Sequence, residues 1–198
     1  MNEDAFDELI AALDPPMAIV TTVSGGERAG CLIGFHAQCS ISPPRYVVWL
    51  SKANHTFRVG VHARSFAVHF LSEDDEQLAR LFGTTSGDDT DKFSSCDWEE
   101  GDGGVPLLTG SPNRLVAERV ALLDEGSDHV CLVLQPTTAS ARAPFRPLRL
   151  SQVEHLQPGH ESEERPKPAE ERSARPAMSH RGARPVSPCR RHHTLEET

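Results

Sequence analysis

The residues with the most chemical potential lie in one short run, Ser51-Lys52-Ala53-Asn54-His55-Thr56. It ends the apolar stretch Tyr46-Val47-Val48-Trp49-Leu50 and leads into a segment that suits a short helix, which Asn54 can cap with its side-chain oxygen. A cation, hydroxyl donors and the free amides of a helix start are groups that bind a phosphate together. An ordinary capped helix with a solvated Lys52 would use the same residues.

Residues 30–40 read as one strand that returns after a Gly turn. Alternation then places Cys31, Ile33, Phe35, Ala37 and Cys39 on a core-like face and Leu32, Gly34, His36, Gln38 and Ser40 on the other. The mixed face offers Gly34 for close backbone approach, with His36, Gln38 and Ser40 to bond the edge of a polar heterocycle. A half-exposed face with no ligand fits equally. Zinc bound by Cys31, His36 and Cys39 is disfavoured, because alternation sets His36 opposite the two thiols and no CxxC brings a further pair. No metal is expected.

His129 opens a strand directly after the turn-like residues 124–128, which puts its imidazole at a barrel rim. There it can meet a substrate or remain a solvated strand end. His69 and Cys131 fall within strands and read as structural. The chain has no G-x-S-x-G elbow, no P-loop and no GxGxxG after a strand, which argues against a hydrolase, an NTPase and a Rossmann fold.

The elements that must position these residues follow from pattern. Residues 3–13 form an amphipathic helix with Phe6, Leu9, Ile10 and Leu13 on one face, stopped by Asp14-Pro15-Pro16. Strands are expected at 17–23, 30–40, 46–50, 66–71, 114–123, 129–134 and, as a short last piece, 147–150. Helices are expected from Asn54 through His62 and from about Ser72, the latter with Leu78, Leu81 and Phe82 on its apolar face. Residues 83–104 read as a long loop anchored by Phe93 and Trp98. Six or seven strands joined mostly by short turns, with three short helices, predict a mainly β fold, an antiparallel barrel.

A chain of 198 residues with 37% hydrophobic and 25% charged residues suits one ordinary core. The domain is expected over 1–155. Residues 156–198 carry Glu, Arg, Pro, Ser and His with few aliphatics and no aromatics, a composition that predicts a disordered tail. The net charge of −9 resides in the front part, so the body is acidic and nucleic acid is an unfavourable partner. There is no signal-like N-terminus and no membrane-length apolar run, which predicts a cytoplasmic protein without a membrane partner. Five cysteines without CxxC spacing suit reduced thiols.

Taken in order, these segments resemble the flavin reductase-like family, FMN-binding split barrels that commonly dimerise. The resemblance rests on Ala18-Ile-Val-Thr-Thr-Val23, the Gly30 strand ending in Cys39-Ser40-Ile-Ser-Pro-Pro44, Tyr46-Val-Val-Trp-Leu-Ser51, Asn54-His-Thr56, Phe66-Ala-Val-His-Phe-Leu71, Leu78-Ala-Arg-Leu-Phe82, Asp91-Lys-Phe93 and Asp128-His129, over about residues 15–135. It implies that Ser40, Lys52, Asn54 and Thr56 lie near the FMN phosphate and ribityl chain. Gly34, Phe35, His36, Ala37, Gln38 and Cys39 would border the isoalloxazine, with His55 and Phe93 also against the cofactor. His129 would sit near the nicotinamide.

The implied activity is hydride transfer from NAD(P)H to FMN, or to FAD, in a homodimer that could supply reduced flavin to a monooxygenase. The chain departs from many relatives at Ala29-Gly30, Leu32, Gly34 and Ser127. These departures keep a second reading open, a flavin-binding or carrier protein without catalysis.

Overall fold

The computed structural model describes residues 2–142, 144–157 and 159; the tail expected to be disordered lies, but for its first few residues, outside them. The order of elements is α1 (Glu3–Leu13), β1 (Ala18–Ser24), β2 (Glu27–Ile33), β3 (His36–Ser40), β4 (Arg45–Ser51), α2 (His55–Gly60), β5 (Ser65–Phe70), α3 (Glu76–Thr84), β6 (Trp98–Glu100), β7 (Pro106–Leu108), β8 (Arg114–Leu123), β9 (His129–Ser140) and α4 (Leu150–Val153). The expected mainly β, antiparallel architecture is the one observed. Seven strands form one sheet in the order β2-β1-β5-β8-β9-β4-β3, every neighbour antiparallel. Its two outer strands, β2 and β3, are consecutive in the chain, so the sheet curls into a half-barrel.

The turn between β1 and β2 is Gly25-Gly26, whose φ values of 59° and 85° are those of a two-residue hairpin that only glycine adopts at little cost. Alternation does the rest. Ala18 and Val20 of β1, Cys31 and Ile33 of β2, Val48 and Leu50 of β4, Phe66 and Val68 of β5, and Val130, Leu132 and Leu134 of β9 fill the inner face. The outer face of β1 carries Met17 and Ile19 against Ala79 and Phe82 of α3, Phe93, Leu108 of β7 and Val153 of α4. Each buried Val, Leu, Ile, Phe or Met among them contributes roughly 1.5–3 kcal/mol relative to exposure.

Four expectations need correction. The strand predicted over 30–40 is two strands, because the chain bends at Gly34-Phe35 to pass from one sheet edge to the other. The loop at 83–104 contains a helical turn at Lys92–Ser95 and the strand β6, which pairs with β7 as a small hairpin. Residues 147–150 make only isolated bridges, Pro147 to Ser72 and Arg149 to Pro16, before α4 begins, so the helices number four among the described residues. Finally, α1 forms where expected, capped by Asn2, but none of its residues is buried: Phe6, Leu9, Ile10 and Leu13 are 37–72% exposed. Among the described residues no helix is long and apolar enough to cross a membrane.

Candidate functional site

β4 delivers the Ser51–Thr56 run to the rim of the curled sheet. Ser51 pairs in register with His129, and the Lys52 amide donates to the Asp128 carbonyl at 2.9 Å, which ties the end of β4 to the start of β9. Asn54 caps α2 as its sequence predicts, its Oδ1 accepting from the Thr56 amide at 3.0 Å. Lys52 Nζ meets Asp124 Oδ1 at 2.9 Å, and this bond holds the Asp124 carboxyl below its usual range. The side chain of Lys52 is 25% exposed, so the cation is present at the surface but already partnered.

Thr56 is buried; its Oγ1 lacks a nitrogen or oxygen partner among the described residues and lies by the buried Cys31 thiol. His55 turns the other way. Its Nε2 lies 3.3 Å from Glu27 and its Nδ1 2.9 Å from Asp88, while Arg58, one helical turn on, grips both Asp88 oxygens. Arg58 first, and His55 with it, draws the Asp88 carboxyl down to about 2.

At the rim itself, Phe35 is 54% exposed and its ring faces that of His129, centroids 5.2 Å apart at 60°. The Phe35 carbonyl accepts from the Trp49 amide at 3.0 Å, which fixes the bend beside β4. Asp128 Oδ1 lies 3.0 Å from His129 Nδ1, and its carboxyl is held low by that contact. His129 Nε2 has no protein partner among the described residues, so the ring is oriented by one nitrogen and presents the other.

The predicted site residues therefore divide. Phe35, Lys52 and His129 come together, with Asp124 and Asp128 beside them. His55 and Phe93 line a different part of the surface, a cleft of about 370 Å³ that also takes in Arg28, Asp88 and Lys92. Phe93 is mostly core, stacked edge-on against Phe82 and Trp98. Gly34 stands at the bend, where a Cβ would make ordinary contact with Met17 Sδ at 3.5 Å.

Beyond the bend the expected faces are not kept. His36 points inward, Tyr46 Oη 2.6 Å from its Nδ1 and the Pro16 carbonyl 3.0 Å from its Nε2. Burial lowers its pKa and pushes that of Tyr46 up to about 12. Ala37, Gln38 and Cys39 are exposed, so the face expected to be core-like from Cys31 onward is core only as far as Ile33. Ser40 is half-buried, and its carbonyl accepts from Gln38 Nε2 at 3.2 Å. Among the described residues no three His, Cys, Asp or Glu side chains converge as metal ligands.

Several contributors were not anticipated. Arg58 shares a helix side with His55 by its i, i+3 spacing, which was a usable signal. Asp88 and Asp124 sit in loops, where no periodicity marks them. Lys92 is 5% exposed and donates to the Gly30 carbonyl at 2.9 Å and the Phe82 carbonyl at 3.3 Å, stitching the 92–95 turn to β2 and α3; burial lowers its pKa.

The curled antiparallel sheet thus carries at its rim an exposed aromatic ring, an oriented imidazole and a cation. The comparison with known proteins gives the family. Residues 11–152 match the flavin reductase like domain, and the chain belongs to that family.

Among curated relatives, the chain is 30% identical over 142 residues to the FMN reductase (NADH) SmoA of Agrobacterium fabrum, covering 71% of this chain and 78% of that one. It is also 30% identical to the 4-hydroxyphenylacetate 3-monooxygenase reductase component of Pseudomonas aeruginosa, covering 68% of this chain and 79% of the relative. Of solved structures, an NADH:FAD oxidoreductase of Streptomyces globisporus superposes with a TM-score of 0.67 at 24% identity, covering 74% of this chain and 86% of its own, a likeness of fold.

Proposed function

We propose that this chain is a flavin reductase that passes a hydride from NAD(P)H to FMN, FAD being an alternative acceptor. The observation that carries this is the contact of Phe35 with His129 at the rim, where His129 pairs with Ser51 and the Lys52 amide bonds to the Asp128 carbonyl. When bound, the flavin supplies two-electron acceptance and the nicotinamide supplies the hydride. What this chain contributes is position. Phe35 offers an apolar face to a ring, and Asp128 holds His129 so that Nε2 faces a ligand. Lys52 offers a cation to a phosphate.

The reductase relatives named for monooxygenase systems support a role in supplying reduced flavin to an oxygenase component. The same reading takes residues 1–155 as the flavin-binding domain of a cytoplasmic split-barrel homodimer. In favour of the dimer, Phe6, Leu9, Ile10 and Leu13 form an exposed apolar stripe along one side of α1, of the kind a second copy covers. Light scattering should then give twice the mass of the chain.

The second reading, a flavin carrier, rests on the departures at Leu32, Gly34 and Ser127, which leave fewer side chains to meet the ring and the nicotinamide. Mixing the purified protein with FMN and NADH or NADPH, and following the nicotinamide absorbance, separates the two. Turnover establishes the reductase. A yellow protein reduced by neither donor is a carrier, and a protein with no flavin affinity is neither.

A further inference from the structure

Among the described residues, His129 has a strand neighbour on one side only. Its backbone pairs with Ser51 at the end of β4, whereas the last pair on the β8 side is Leu123 with Cys131, two residues further into β9. What holds the other side is the turn 124–128, in which Gly126 takes a φ of 82°. Asp124 shapes that turn, its Oδ1 accepting from the Gly126 amide at 2.9 Å and from Lys52 Nζ at 2.9 Å.

Lys52 grips the same turn at both ends. Its side chain reaches Asp124 at the start, and its amide donates to the Asp128 carbonyl at the close. Asp128 then orients the imidazole through Nδ1, 3.0 Å away. A continuous set of bonds therefore runs from Asp124 through Lys52 to the backbone that carries His129, and it ends where that ring meets Phe35.

An ion pair as exposed as this one, 25% on the lysine and 44% on the aspartate, adds little to stability. Its effect is on position, because a small displacement of a group at the reacting centre costs far more in rate than such a pair contributes to folding. The Lys52 ammonium has three N–H donors, so the one given to Asp124 leaves others for a ligand.

We propose that Asp124 is a positioning residue for the reductase reaction: with Lys52 it forms a strut that fixes the 124–128 turn, and through it the place of His129 at the rim. The proposal deepens the reductase reading, on which it rests for the role of His129.

Asp124→Ala, Asp124→Asn, Lys52→Met and the double variant of Asp124→Ala with Lys52→Met test it. Kinetics at saturating FMN give kcat and the KM for NADH or NADPH. The nuclear Overhauser contact between the Phe35 and His129 rings reports placement without turnover, and urea midpoints report stability. Asp124→Ala should lower kcat about five- to twentyfold and weaken the ring contact, with the nucleotide KM changed by less than about twofold and the urea midpoint unmoved. Asp124→Asn keeps an acceptor for both donors and should recover most of the loss. The double variant should be no slower than the slower single one, since both substitutions remove the same strut.

Wild-type kcat in Asp124→Ala overturns the strut, as does a lowered kcat with the ring contact intact. Additive losses in the double variant overturn it too, and so does an Asp124→Asn protein as slow as Asp124→Ala. If the wild type oxidises neither donor, the reductase reading falls by itself. The ring contact then decides the strut: lost in both Asp124→Ala and Lys52→Met it stands, and kept in either it falls.

Discussion

The ring of Phe35 lies against the ring of His129, 5.2 Å between centroids, although 94 residues separate them in the chain. β4 brings them together, since it pairs with β3 on one side and with β9 on the other. If this is where the nicotinamide and flavin meet, Phe35→Ala should lower kcat/KM by about two- to tenfold, the worth of one aromatic pair. His129→Asn should lower it roughly ten- to a hundredfold with FMN affinity kept. Steady-state kinetics with each donor reads both, and unchanged kcat/KM in both variants would place the chemistry elsewhere.

Thr56 gives a prediction with two opposite signs. Thr56→Val keeps the volume and removes the buried hydroxyl, so the ligand-free protein should be as stable as the wild type or more so by about 1 kcal/mol in urea unfolding. FMN affinity should fall by about 1–3 kcal/mol, as it should in Lys52→Ala, while riboflavin affinity holds. A Thr56→Val protein that loses stability and keeps its FMN affinity would show the hydroxyl to be structural.

His69 sets a pH dependence. It is fully buried between β1 and the β6–β7 hairpin, 3.3 Å from Thr21 Oγ1 and 3.4 Å from the Ser111 carbonyl, and burial lowers its pKa to about 4. The unfolded chain takes a proton near pH 6.5 that the folded protein refuses until about pH 4. Stability is therefore full above pH 6.5 and falls across the window down to about pH 4, by up to roughly 3 kcal/mol. Denaturant midpoints measured across that range should show the slope, and His69→Gln should flatten it.

Lys92 should matter for folding before it matters for ligands. Lys92→Ala leaves the Gly30 and Phe82 carbonyls without their donor and opens a void beside Phe82, at a cost of about 2–4 kcal/mol. Lys92→Met keeps the stem and should lose less. Equal losses in the two variants, read from urea midpoints, would mean that the ammonium group, not the packing, is what the site needs.

The features legible from residue order alone were local ones. Asn54 capping α2, the apolar run of β4, the Gly25-Gly26 turn and the Leu78, Leu81, Phe82 face of α3 each depend on neighbours a few residues away, and each was legible in spacing and residue type. The rim position of His129 was legible for the same reason, a strand start after a turn.

Only the tertiary structure decided the break at Gly34-Phe35, because alternation cannot announce that a strand must leave one sheet edge to begin the other. The break turned His36 inward to Tyr46 and left Cys39 exposed. The partners of the cations were likewise invisible: Asp124 for Lys52 and Asp88 for Arg58 lie on loops with no period, brought into reach by the curl of the sheet and the fold of the 86–91 loop. Backbone preference is written along the chain, whereas charge pairing is settled by which distant loops the curled sheet sets side by side.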